Sequence, residues 1–205
     1  MITIHGMTDS GNCYKPRLLM ALTGRRFRHV EVSMLDGGTK QPAFLALNPA
    51  GQVPLLVLDD GRTLAESNAI LVFLGEGTDF VPTDVFGRAQ MLRWMFFEQN
   101  AHEASIAVRR SLSVYAQRRG AATPERMALT LEKGTNALRV MEERLSASPF
   151  IAGRAPTLAD IALYPYTATA PEGGFDLAPF PAIRQWLARI EALPGWRPRD
   201  WIPEA

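Results

Sequence analysis

One cysteine, Cys13, stands in 205 residues, so no internal disulfide can form and the fold has to rest on its core. Long apolar runs are missing too. None approaches the roughly 20 residues that cross a bilayer, and no basic segment followed by an apolar stretch opens the chain. No membrane is expected among its partners, and the cytoplasm is the expected location. Charge of one sign is also lacking. The 22 basic and 21 acidic residues leave +1, and the pairs Arg25-Arg26, Arg109-Arg110 and Arg118-Arg119 are short. No nucleic-acid partner is expected on that balance.

Several chemical signatures are absent as well. GxSxG, HExxH, CxxC, a Walker loop and GxGxxG do not occur, which removes support for common hydrolase, zinc and nucleotide chemistries. His5, His29 and His102 lie far apart with no ligand spacing, so no metal is expected.

What is present divides the chain in two. Residues 2–5 alternate apolar and polar as a half-buried strand does, and residues 13–23 carry Leu18, Leu19, Ala21 and Leu22 at helical spacing up to Gly24. Phe27 to Val32 reads as a second strand, which makes a parallel βαβ unit. A short helix over Pro42–Leu47, a strand at Leu55–Leu58, a turn at Asp59-Asp60-Gly61 and a helix from Glu66 to Leu74 follow. This is the order of a thioredoxin-like α/β domain over residues 1–76. A linker at 77–86 leads to an all-helical domain over 87–205, with long helices predicted at Arg88–Arg119 and Pro124–Ala147 and shorter ones at Leu158–Ala168 and Pro181–Leu193.

Three segments of the first domain could carry chemistry. Ser10-Gly11-Asn12-Cys13-Tyr14-Lys15 lies between strand and helix, where Ser10 or Asn12 would meet free N–H groups that favour an anion, or would simply cap the helix. Val53-Pro54 precedes the third strand. A cis bond there would turn the Val53 backbone outward to pair with a peptide-like ligand; a trans proline would only start the strand. Glu66-Ser67-Asn68 opens the next helix with a carboxylate and a hydroxyl, as a ligand site or as a cap. In a thioredoxin-like layout all three fall at one edge of the sheet.

These residues resemble the soluble glutathione transferases over nearly the whole chain. Ser10 to Arg17 is similar to the family's active-site segment, and Asn48-Pro49-Ala50-Gly51-Gln52-Val53-Pro54 to its cis-proline loop. Glu66-Ser67-Asn68-Ala69-Ile70 is similar to its γ-glutamyl segment, and Gly153-Arg154-Ala155-Pro156-Thr157-Leu158-Ala159-Asp160 to its buried capping element. The resemblance implies a detoxifying enzyme that binds glutathione as co-substrate and needs no other cofactor. Glu66 and Ser67 would hold the γ-glutamyl end, Val53, set by Pro54, the cysteinyl unit, and Lys40 with Gln52 the glycine carboxylate. Ser10, with Asn12 second, would stabilise the thiolate for attack on a small hydrophobic electrophile or a peroxide. It also implies a homodimer, and a second substrate lying against the helical half, where His102 reads as solvent-exposed. Two alternatives stay open: a non-catalytic binding module on the same fold, and a glutathione-dependent disulfide reductase using Cys13.

Overall fold

A computed structural model describes residues 1–203. The chain separates into two compact units, one of residues 1–78 together with the segment from Leu193 onward, the other Asp79–Ala192.

In the first unit four strands, β1 (Thr3–Gly6), β2 (Arg28–Glu31), β3 (Leu55–Val57) and β4 (Thr63–Ala65), form one sheet in the order β2-β1-β3-β4. The β1–β2 pair is parallel and the other two pairs are antiparallel. The helices of this unit are α1 (Gly11–Leu22), α2 (Pro42–Leu47) and α3 (Ser67–Gly75). Register decides where the loops go. His5 pairs with Leu55 and Leu55 with Ala65, so these residues form one row across the sheet. The chain therefore leaves β1, enters β3 and leaves β4 at the same end, and Glu31 joins them there opposite Gly6. The expected α/β order is met, and its three candidate segments share one sheet end.

α1 is buried almost all round. Cys13 through Met20 are all inaccessible, and this run includes Lys15 and Arg17. Such a helix gets its stability from packing more than from an amphipathic stripe.

The second unit is helical: α4 (Val85–Phe97), α5 (Val108–Val114), α6 (Pro124–Ser146), α7 (Leu158–Ala168) and α8 (Pro181–Glu191). The helix expected over 88–119 is not regular. A π-helical stretch, Glu98–Ala107, joins α4 to α5, and a 3₁₀ turn at Ala116–Ala121 follows. Inside the stretch the Ser105 hydroxyl donates to the carbonyls of Ala101 and His102, competing with the regular ladder. α7 begins on the expected cap. Asp160 accepts from Thr157 N at 2.8 Å and Thr157 Oγ1 at 3.1 Å, and also from Ile151 N and Trp186 Nε1. No helix among the described residues is long and apolar enough to cross a membrane.

Candidate functional site

At the shared sheet end, Ser10 caps α1 and its Oγ accepts from Cys13 N at 3.4 Å. Asn12 sits in the first turn, partly exposed. α3 packs against α1 and brings Ser67 to it. The Ser67 hydroxyl donates to Asn12 Oδ1 at 3.3 Å, and Lys15 Nζ donates to Ser67 Oγ, also at 3.3 Å. Lys15 is fully buried, so an ammonium is held directly beneath the start of α3. The amide, hydroxyl and ammonium form a chain linking two of the three candidate segments.

Glu66, just before α3, takes φ 68° and ψ 114°, a backbone that side-chain-bearing residues rarely adopt, and its carboxylate is exposed. The third segment carries the expected cis peptide, between Val53 and Pro54. Neither the N–H nor the C=O of Val53 is used in the loop hydrogen bonds among the described residues. The preceding loop is stapled by Asn48, whose Nδ2 donates to Gln52 O at 2.8 Å and whose Oδ1 accepts from Ala50 N. Lys40 Nζ ties the same loop by donating to Gly51 O at 3.0 Å. Gly51 has φ +59°, and a Cβ there would lie 2.9 Å from the backbone carbonyl of Thr39, so this position needs glycine. Ser10, Asn12, Val53, Pro54, Glu66 and Ser67 thus sit on the three segments at one sheet end. Gln52 lies on the loop leading into Val53, and Lys40, in the turn before α2, reaches that loop through its Nζ.

The chemistry of the arrangement is anion stabilisation. A helix start, an amide and a buried ammonium all favour negative charge. Cys13 offers no such chemistry. It is fully buried against Gly6, and burial pushes its thiol up to about 11, against the lowering effect of hydrogen bonding to Ser10 and Met7. His102 is a correction as well. It is not solvent-exposed but fully inaccessible, with Nε2 2.9 Å from Thr167 Oγ1, and Glu98 is buried too.

Lys15 and Arg17 were not singled out from the sequence. The available signal was position, since Lys15 shares a helical stripe with Leu18 and Leu22, and Arg17 with Cys13 and Met20.

Residues 9–76 match the family model described as glutathione S-transferase, N-terminal domain, and residues 97–194 the model for the C-terminal domain. The chain is similar to the crystal structure of a possible glutathione S-transferase from Rhodopseudomonas palustris, at 45% identity, 98% and 99% coverage of this chain and that one, and a TM-score of 0.95. A glutathione S-transferase from Pseudomonas fluorescens is similar at 43% identity, 97% and 98% coverage, and a TM-score of 0.93. The disulfide-bond oxidoreductase YfcG of Escherichia coli is 28% identical over 191 residues, which is 90% of this chain and 87% of that protein.

Proposed function

The chain belongs to the glutathione S-transferase family, and from that premise we propose that it binds glutathione and activates its thiol for transfer to a small hydrophobic electrophile. Glu66 and Ser67 receive the γ-glutamyl ammonium and carboxylate, the backbone of Val53 pairs with the cysteinyl unit, and Lys40 and Gln52 lie toward the glycine carboxylate. The reading rests on the Ser67–Asn12 hydrogen bond, which joins the γ-glutamyl segment to the helix start where a sulfur would arrive.

In the reaction the thiol loses its proton to solvent, and the thiolate donates its electron pair to the electrophilic carbon. The bond to the leaving group breaks, or a π bond takes up the charge. A thiol with pKa near 8.5 is only about 3% ionised at pH 7, and lowering it by about two units requires about 2.7 kcal/mol. One or two charge-assisted hydrogen bonds and a helix N-terminus are enough for that. Support moves from Ser10 toward Asn12. Ser10 is only 5% exposed and its oxygen caps α1, whereas Asn12 is partly exposed beside Ser67.

Buried Cys13 favours a second reading in one form only. Should the chain reduce disulfides, as the name of the Escherichia coli relative suggests for that protein, the thiols used are those of glutathione. Assembly as a cytoplasmic homodimer belongs to the same proposal. The apolar residues Val85, Phe86 and Phe96 of α4, 86%, 71% and 65% exposed, suit a subunit contact.

Calorimetry with glutathione, paired with conjugation of 1-chloro-2,4-dinitrobenzene, tests the reading on wild type, Ser10→Ala and Asn12→Ala. Wild type is expected to bind and turn over, with Asn12→Ala binding but losing most of kcat. Absence of glutathione binding would remove the reading and leave a binding module of another ligand class. Light scattering checks the dimer.

A further inference from the structure

The segment after Leu193 returns to the first unit, and its attachments gather on the candidate active-site loop. Arg17 is the centre of that attachment. Its guanidinium is fully buried and forms no ion pair among the described residues. Nη2 donates to Thr8 O at 2.6 Å and to Arg199 O at 2.9 Å, Nη1 to Trp201 O at 3.3 Å, and Nε to Cys13 O at 3.3 Å. One side chain thus binds carbonyls of the β1–α1 loop, of α1 and of the returning segment.

Two further contacts run alongside. The Tyr14 hydroxyl donates to Arg197 O. Arg199 Nη1 lies 3.0 Å from Asp9 Oδ1 and 3.5 Å from Asp9 O. Residues 197–201 therefore grip Asp9, Tyr14 and Arg17, Arg17 in turn holds Thr8, and Ser10 and Asn12 lie between these grips. The ionisable groups nearest Arg17 are Cys13, Tyr14, Glu31 and Arg199. Burying a guanidinium without a carboxylate is costly, and an apolar side chain would fill the space more cheaply. What an apolar side chain cannot do is donate to three segments at fixed angles.

We propose that residues Arg197–Trp201, held by Arg17 and by the Arg199–Asp9 pair, are a positioning element of the active-site loop. They fix Thr8 to Asn12 in the geometry that acidifies bound glutathione. The inference rests on the reading above that this loop stabilises the thiolate. It makes Arg17 and Arg199 positioning residues that act through Ser10 and Asn12, at a distance in sequence that no motif would connect.

The test is a pH titration of the thiolate absorbance near 240 nm of glutathione bound to the full-length protein. Wild type is compared with Arg199→Met, Asp9→Asn and Arg17→Lys, and glutathione affinity is measured in parallel. Arg199→Met and Asp9→Asn break a partly exposed pair and are expected to fold normally. Arg17→Lys keeps the charge but loses the fork. The thiol pKa is expected to rise by about half a unit in the first two and by about one unit in Arg17→Lys, a tenfold loss of thiolate at low pH, while affinity changes less than about threefold. A merely structural role would lower stability and leave the pKa of the folded protein in place. Wild-type pKa values in all three variants overturn the positioning role and leave the thiolate reading standing. A wild-type pKa in Arg17→Lys alone assigns the effect to charge and overturns the strap. Wild type that does not acidify glutathione overturns both. Should Arg17→Lys not fold, the two surface variants decide.

Discussion

Ser67 donates its hydroxyl hydrogen to Asn12 Oδ1 across 3.3 Å while its oxygen accepts from the buried ammonium of Lys15 at the same distance. The segment proposed to receive the γ-glutamyl end and the residue proposed to meet the thiolate are parts of one hydrogen-bonded chain.

Removing Ser67 should then affect both binding and chemistry. Ser67→Ala is expected to raise KM for glutathione about tenfold, a loss near 1.4 kcal/mol, and to lower kcat as the Asn12 amide loses its anchor. A double-mutant cycle with Asn12→Ala on kcat/KM should give a coupling of about 1 kcal/mol. Strict additivity would sever the proposed link.

Cys13 should be dispensable. With its thiol pushed up to about 11, about one molecule in ten thousand carries the thiolate at pH 7. Cys13→Ala is expected to keep conjugation and any disulfide reduction within about twofold, and the native protein to resist iodoacetamide. Its effect should fall on stability, at about 1 kcal/mol for a small buried side chain. Loss of reductase activity with conjugation intact would restore Cys13 as a nucleophile.

The sheet end was legible in the sequence because its signals are local. Alternation in β1, the turn at Asp59-Asp60-Gly61 and the order of the three segments already place the loops together; the residues at Val53-Pro54 left cis and trans open, and the cis bond is the one the family resemblance implied. Lys15 and Arg17 were not legible, since charged side chains usually lie outside and only packing shows otherwise. The same holds for His102, whose burial depends on Thr167, 65 residues away. The return of residues 197–201 to Arg17 depends on contacts more than 180 residues apart, beyond the reach of any periodicity.

Glu66 offers a trade between stability and binding. Its φ of 68° is natural for glycine and strained for glutamate by about 1–3 kcal/mol. Glu66→Gly is expected to stabilise the protein by about 1 kcal/mol in urea unfolding and to raise KM for glutathione at least about tenfold, since the carboxylate proposed to meet the γ-glutamyl ammonium is gone. A variant that is more stable and binds as well as wild type would remove Glu66 from the site.

The candidate active-site loop should also loosen in acid, through Glu31. Its carboxylate accepts from Thr8 N at 3.0 Å, from Thr8 Oγ1 at 2.6 Å and from His29 Nε2 at 3.0 Å. Partial burial would raise its pKa, but the bonds from Thr8 and His29 outweigh this and hold it below the ordinary 4.5. A folded-state pKa below the unfolded one means that the unfolded chain takes up the proton first. The contribution of Glu31 is therefore complete above pH 4.5 and is lost as the pH falls through the lowered folded value. Half-exposure and solvent screening limit it to about 0.5 kcal/mol. Glu31→Gln is expected to be less stable than wild type by about that amount in urea at pH 7, with the gap closing as the pH falls below 4.5 and through the lowered folded value. A gap that stays constant from pH 7 to pH 3 would mean that the Glu31–Thr8 contact holds the loop by shape and not by charge.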